Sequence, residues 1–294
     1  MTGGRLRAGA ALATLAFLVW HLGTGPFLDG LQAVDGAALA AASGLAAVTT
    51  VCCAWRWRTV ARGLGADLPL GTAVAAYYRS LFLNLTLPGG VVGDVHRGFG
   101  HGLRAVAWER SAGQVVQIVL TVAVLLVLPS PVHDAMPFAA VALLVAAAGA
   151  ALALRGRPAA GRTRRARLRA AVARDLHEGL LARRAWPAVA LASALVVAGH
   201  SVTFVIAART AGVTAPASEV LPLALVVLLA AALPNVGGWG PREGVTAWAF
   251  GAAGLGASLG LTTAVVYGVM VLFACLPGAV VLVADSVYRG AARV

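Results

Sequence analysis

Long apolar segments alternate with short polar ones along nearly the whole chain. Several are long enough to cross a bilayer as a helix, which takes about 20 residues. The alternating pattern of a transmembrane β-strand is absent from the sequence. The pattern therefore predicts an all-α polytopic integral membrane protein. We expect about six full transmembrane helices, at residues 8–22, 37–55, 111–128, 137–154, 187–208 and 260–284.

Three further apolar segments lack the pattern of a simple transmembrane span. Segment 70–87 carries Arg79 in its middle, segment 220–233 ends at Pro234, and segment 243–256 is short. We expect these segments to form broken or re-entrant helices.

Composition supports the membrane class. Hydrophobic residues make up 60% of the 294 residues and charged residues only 12%, against about 25% charged in a typical soluble domain. The net charge is +12, and ten of the 23 basic residues, all arginine, lie in 155–184. Short arginine-rich loops beside spans stay cytoplasmic. A basic surface domain bearing aromatic residues is absent, so nucleic acid is not an expected partner.

The positions of the arginines relative to the predicted spans indicate the membrane topology. Arg5 and Arg7 place the N-terminus in the cytoplasm. If 70–87 crossed the membrane, the arginine-rich block 155–184 would lie outside. We therefore expect 70–87 to enter the membrane and return, and both termini to be cytoplasmic. Segment 220–256 either re-enters or crosses twice. Both alternatives leave the arginines on the same sides of the membrane, so the charges do not distinguish between them.

The arginine-rich block has its own pattern. Leu168, Val172, Leu176 and Leu180 recur every four residues. This spacing indicates an amphipathic helix on the anionic cytoplasmic leaflet. A solvated linker that only fixes the topology is an equally compatible interpretation.

The chain contains two similar glycine-rich motifs, LNLTLPGGVVGDVHRGFG at 83–100 and LAAALPNVGGWGPREGVT at 229–246. In each, an apolar helix ends in Leu-Pro, glycines follow, and an arginine lies beside an acid. Proline ends a helix and glycine allows a tight turn. The motif backbone comprises Pro88, Gly89, Gly90, Gly93, Pro234, Gly237, Gly238 and Gly240.

In the predicted topology the two motifs enter from opposite faces, which is typical of inverted repeats with a site near the midplane. We expect one transmembrane domain, 1–294, with repeats at about 37–128 and 187–284 joined through segment 155–185. Irregular backbone at membrane depth is tolerated where it lines a cavity or is buried in protein. The motifs therefore predict a polar cavity.

The residues after each break suggest an anion site. Asp94 is a suitable N-cap, and Pro241 and Glu243 suit the first turn of a helix. Helix N-termini bearing Arg97 and Arg242 would hold a phosphate or carboxylate, with Asp94 and Glu243 orienting the arginines. In the structural alternative, each arginine only pairs with its neighbouring acid.

Four other residues of these segments are candidates for substrate binding. Arg79 is an intramembrane charge expected to pair with Glu243 or Asp94, or to touch a headgroup. His96 is a candidate proton-coupling group beside Asp94. Asn84 and Asn235 are polar residues of the motifs. The spacing of Asp94, His96 and His101 matches no standard metal site, and we expect no metal, no cofactor and no catalytic residue.

The motifs resemble the two signatures of the lysylphosphatidylglycerol synthase transmembrane-region family, also called flippase-like membrane proteins. The first is carried by Asn84, Leu87, Pro88, Gly89, Gly90, Gly93, Asp94 and Arg97, and the second by Leu233, Pro234, Gly237, Gly238, Gly240, Arg242 and Glu243. Val91-Val92 stands where many members carry a further glycine. The resemblance covers about residues 8–285 and implies a module that moves a lipid with a polar headgroup between leaflets. The cytosolic aminoacyl-transferase domain found in one branch is not part of this sequence, so aminoacyl-lipid synthesis is not carried over.

We therefore expect a flippase-like transporter of the bacterial plasma membrane that moves an anionic or polyprenyl-phosphate-linked lipid. Alternatives from other classes are a non-transporting lipid-binding subunit and a membrane-embedded transferase. The expected partners are the lipid substrate and an anionic lipid surface at 155–184. A second copy of the chain and a lipid-modifying enzyme remain open as further partners.

Overall fold

The computed structural model describes residues 16, 19–87, 92–155, 164–183, 185–233 and 239–291. Helices form nearly all the regular structure in these ranges. They are α1 (Gly25–Ala33), α2 (Gly36–Gly63), α3 (Leu70–Thr86), α4 (Val92–His101), α5 (Leu103–Leu125), α6 (Met136–Arg155), α7 (Arg164–Asp175), α8 (Trp186–Thr210), α9 (Ala217–Ala230), α10 (Pro241–Ala252), α11 (Ala257–Ala274) and α12 (Pro277–Ala291).

Four segments of the described chain are long and apolar enough to cross a membrane. They are Gly36–Gly63, His133–Leu152, Trp186–Thr210 and Ala257–Asp285. Each overlaps a span that the hydrophobic pattern predicts. The protein is thus an all-α, multi-pass membrane protein, as expected. Most of the first predicted span, 8–22, lies outside the described residues.

Helix α5 extends beyond the N-terminal end of the predicted span 111–128. It begins at Leu103, so Glu109 and Arg110 lie inside the helix. A charged residue is tolerated in a transmembrane helix when it is paired. Glu109 pairs with Arg56 of α2, and Arg110 pairs with Asp94 of α4.

The last predicted span, 260–284, corresponds to the apolar segment Ala257–Asp285. It consists of α11 and α12, which are separated at Cys275 and Leu276. Pro277 begins the second helix; because proline lacks an N–H, it suits a first turn and not a helix interior.

Residues 25–33 lie between the predicted spans 8–22 and 37–55 and form the short helix α1. Its Gly30 packs directly against Val265 of α11. A side chain at residue 30 would collide there, so this glycine permits the close packing.

Each motif joins two short helices that pack against each other, α3 with α4 and α9 with α10. In the first pair, Gly93 lies so close to the backbone of Ser80 that a Cβ atom would overlap it. Helix α9 has 14 residues and α10 has 12, giving lengths of about 21 and 18 Å. Neither spans a hydrocarbon core of about 30 Å by itself, which favours a re-entrant pair over two crossings.

The two long helices α2 and α8 pack along each other at the centre. At this contact, Gly199 of α8 leaves room for the side chain of Thr49. One apolar cluster joins α8 to α10 and α11 around Phe204, Phe250 and Tyr267. A second joins α2 to α3 and α5 around Trp57 and Tyr77. The helices that flank the two motifs therefore build one continuous bundle.

The described part of the arginine-rich segment is helical and attached to this bundle. Helix α7 continues into a π-helical turn at Leu176–Leu180. At the junction, Asp175 is buried and accepts hydrogen bonds from Arg104 and from Trp108 Nε1, the latter at 3.0 Å. The segment is thereby joined to the start of α5.

Candidate functional site

A cavity of about 330 Å³ lies between the two halves of the chain. Its wall comes from α2, α3 and α5 of the first half and from α8, α10, α11 and Ala231 of the second. Several polar side chains face it in a protein that is otherwise apolar. They are Thr49, Thr50, Arg56, Tyr77, Asn84, Arg110, Gln114, Gln117, Ser193, His200, Thr203, Arg242 and Tyr267.

Asp94 is the centre of the first motif. It lies in the first turn of α4 and accepts hydrogen bonds from Ser80 at 3.1 Å, from Asn84 at 3.1 Å and from Arg97 at 3.0 Å. Arg110 adds another at 2.9 Å. The carboxylate therefore binds side chains of three helices instead of acting as the N-cap that the sequence suggested.

Asn84 connects the two sides of the first break. Its Nδ2 group donates to Asp94, and its Oδ1 atom accepts from the backbone N–H of Gly93 at 2.7 Å. This N–H belongs to the first turn of α4, so part of the helix N-terminus is already occupied. Pro88, Gly89 and Gly90 lie outside the described residues.

Arg97 is fully buried and does not line the cavity. Its guanidinium carbon lies 4.5 Å from the ring centroid of Trp57 and 4.2 Å from that of Tyr77. Nη2 donates to Asp94 and to Glu109, each at 3.0 Å. In this conformation Arg97 makes the contacts of the structural alternative, in which it holds acidic side chains.

Glu109 is a central residue that sequence reasoning missed. It is fully buried and accepts hydrogen bonds from Arg56, Arg97 and the hydroxyl of Tyr77, the last at 3.1 Å. Arg56 also donates to Ser193 Oγ of α8 at 2.9 Å. The cluster therefore ties together α2, α3, α4, α5 and α8.

A polar stripe on α5 could have indicated this part of the site. Arg110, Gln114 and Gln117 follow one another at helical spacing, and all three line the cavity. Gly113 lies between them, directly against the guanidinium of Arg56. Residues four and seven positions apart share one helix face.

The second motif is built around Glu243. Gly240 has a φ of 120°, which favours glycine, and α10 begins at Pro241 as expected. Glu243 accepts the backbone N–H of Gly240 at 2.6 Å and also binds Arg242. Asn235, Pro234, Gly237 and Gly238 lie outside the described residues.

Arg242 does line the cavity, although little of its side chain is exposed. Its guanidinium carbon lies 5.6 Å from the ring of Trp239 and 5.4 Å from that of Tyr267. The hydroxyl of Tyr267 in turn lies 3.2 Å from Nδ1 of His200.

Two other candidates lie elsewhere. Arg79 pairs with Asp285 of α12 and not with Asp94 or Glu243, because α12 packs along α3, with Gly278 against the backbone of Tyr78. His96 is exposed on α4 and does not line the cavity. In the described part of the chain, the side chains of histidine, cysteine, aspartate and glutamate form no group suited to a metal ion.

The structure thus has a polar, arginine-bearing cavity inside a multi-pass helical bundle, beside the described parts of the two glycine-rich motifs. Comparison with family models identifies the class further. The chain belongs to the family described as the lysylphosphatidylglycerol synthase TM region, whose model matches residues 6–278. It is thus a membrane protein involved in lipid handling. Searches among curated proteins and solved structures gave no match.

Proposed function

We propose that this protein is a flippase-like transporter, which moves an anionic or polyprenyl-phosphate-linked lipid between the leaflets of the bacterial plasma membrane. The observation that carries the proposal is the cavity between the two halves, with Arg56 and Arg110 from the first half and Arg242 from the second. Ionisable residues within membrane spans face the bundle interior or a water-filled cavity and mark substrate pathways.

The size of the cavity supports a headgroup as its occupant. Ligand pockets span about 300–1,000 Å³, and this cavity lies at the small end of that range. It suits a compact polar group but not two long acyl chains. The acyl chains accordingly stay in the bilayer while the headgroup crosses.

The motif residues have different roles in this proposal. Arg242 contacts the headgroup from the second half, and Glu243 orients it. Arg97 acts through Asp94 and Glu109, because its guanidinium is enclosed between two aromatic rings. Asn84 lines the cavity and holds the first motif together.

The paired motifs supply a route for access from both faces. Two helix pairs of the same construction flank one cavity, α3 with α4 and α9 with α10. If they enter from opposite faces, rocking of one half against the other opens the cavity to each leaflet in turn. The protein acts without catalysing a reaction and has cytoplasmic termini.

A vesicle assay tests this function. The purified full chain is reconstituted with phosphatidylglycerol that carries a fluorophore on an acyl chain, and dithionite is added outside. Transport exposes inner-leaflet label to the reductant. We expect exposure with the wild type and at least a tenfold slower rate with Arg242→Gln, since a charge-assisted hydrogen bond is lost. A wild-type protein that binds lipid but exposes no inner label would instead support the non-transporting lipid-binding subunit.

A further inference from the structure

Arg110 differs from the other arginines of the first motif in its exposure. Its side chain is 42% exposed and lines the cavity, whereas that of Arg97 is 0% exposed and that of Arg56 is 5% exposed. Arg110 binds Asp94, but its Nε atom is buried with no hydrogen-bond partner among the described residues. The exposure of the side chain to the cavity therefore gives Arg110 the access to bind a ligand there.

The charges around the cavity are not balanced. In the first motif cluster, Arg56, Arg97 and Arg110 face two carboxylates, those of Asp94 and Glu109. In the second motif Arg242 and Glu243 neutralise each other. Among the described residues around the cavity, one positive charge is therefore left over. A ligand with one negative charge balances it.

The uncharged part of the wall consists of hydrogen-bonding groups. Gln114 and Gln117 follow Arg110 on the same face of α5, and Asn84 and Ser193 lie on neighbouring helices. Amides and hydroxyls can both donate and accept. They suit hydroxyl groups of a ligand, which also donate and accept.

We propose that the cavity selects a phosphodiester headgroup with a single negative charge and an uncharged, hydroxyl-bearing substituent. Arg110 binds the phosphodiester, and Gln114 and Gln117 bind the hydroxyl groups. A headgroup that adds an ammonium group places a positive charge beside the surplus arginine and is disfavoured. This selectivity rests on the proposed function, because it concerns the same cavity.

The test is a binding measurement on the purified full chain in detergent, by isothermal titration calorimetry. The probes are dioctanoyl phosphatidylglycerol, dioctanoyl phosphatidylethanolamine and free glycerophosphoglycerol, the deacylated phosphodiester. We expect the phosphatidylglycerol to bind at least about tenfold more tightly than the phosphatidylethanolamine, the gain of one charge-assisted contact. Equal affinity for the two lipids would overturn the proposal. Glycerophosphoglycerol binding as tightly as the lipid would overturn the lipid as the source of the headgroup.

Variants assign the preference to the cavity. Arg110→Gln should abolish it, Arg110→Lys should retain part of it, and Gln114→Leu should weaken it. Arg104→Gln is the matched control, since Arg104 lies on the same helix but binds Asp175 away from the cavity. If Arg110→Gln is poorly folded by its melting temperature, Gln114→Leu decides the question. A preference unchanged in Gln114→Leu and in any folded Arg110 variant would contradict the assignment.

This outcome is separable from the proposed function. If lipid is transported in vesicles without a headgroup preference, the proposed function stands and only the proposed selectivity is wrong. If lipids bind with the expected preference but are not transported, the proposed transport function is wrong and the selective binding site stands.

Discussion

Arg110 of α5 and Asp94 of α4 form an ion pair of 2.7 Å. The pair connects the first glycine-rich motif to the wall of the cavity, because Asp94 belongs to the motif and Arg110 faces the ligand space. Asp94 also binds Arg97, Ser80 and Asn84. A headgroup that competes for Arg110 therefore acts directly on the contacts that hold the break together.

Arg97 is predicted to serve stability. Arg97→Ala leaves Asp94 and Glu109 with fewer partners and opens a void between two rings. Breaking a buried ion pair costs about 3–5 kcal/mol, so the melting temperature in detergent should fall markedly. Arg62→Ala is the control, since Arg62 pairs with Asp67 at the surface and exposed pairs contribute little. A melting temperature of Arg97→Ala equal to that of the control would show that the buried contacts are not needed.

The pair of Arg56 and Glu109 should show strong energetic coupling. Arg56→Gln and Glu109→Gln each leave a buried charge short of its partner, whereas the double variant removes both charges. A double-mutant cycle on unfolding stability should give a coupling of about 1–3 kcal/mol. Additive single effects would mean that the two side chains do not interact as the structure has them.

Gly93 is predicted to be required for the packing of α3 on α4. Gly93→Ala forces a Cβ atom into the backbone of Ser80, and overpacking of this kind costs about 1–3 kcal/mol. Gly71→Ala, in α3 of the same pair, meets open space and is the matched control. Thermal unfolding of the two variants measures the difference. A Gly93→Ala protein as stable as Gly71→Ala would contradict the close helix contact.

The arginine-rich segment is predicted to depend on Asp175. Asp175→Asn weakens the contacts from Arg104 and Trp108, so hydrogen exchange across 170–183 should become faster. Asp67→Asn, at an exposed position, serves as the control. Unchanged exchange in Asp175→Asn would show that other contacts hold this segment against the bundle.

The inverted arrangement can be checked by labelling Leu87→Cys and Leu233→Cys. These leucines follow the C-terminal ends of α3 and α9, just before the two breaks, and both are exposed. In a background without Cys52, Cys53 and Cys275, an impermeant maleimide should reach one position only from the cytoplasmic face and the other only from outside. Labelling of both from the same face would exclude inverted repeats.

Much of the architecture was accessible from the sequence because it rests on local signals. The Leu-Pro dipeptides and the glycines predicted that one helix ends and another begins at each motif, and the helix bounds agree with this. The observed ion pair of Arg242 with Glu243 follows from adjacency alone.

The part of the site that the sequence did not predict depends on contacts between residues that are far apart in the chain. The predicted span 111–128 begins directly after Arg110, because an arginine near a span favours the cytoplasmic side. Its partner Asp94 and the partners of Glu109 lie on other helices, so no local pattern shows that these charges are compensated. The pairing of Arg79 with Asp285, far along the chain, was hidden for the same reason.

The central claim is that the headgroup crosses through the cavity, and a pair of adjacent substitutions tests it most directly. Ala46 of α2 lines the cavity, whereas its neighbour Ala47 is exposed and does not. In the vesicle assay with acyl-labelled phosphatidylglycerol, Ala46→Phe should reduce the transport rate at least about tenfold by filling the cavity, while Ala47→Phe should match the wild type. Equal, wild-type rates for both variants, each folded and reconstituted to the same level, would contradict a path through this cavity.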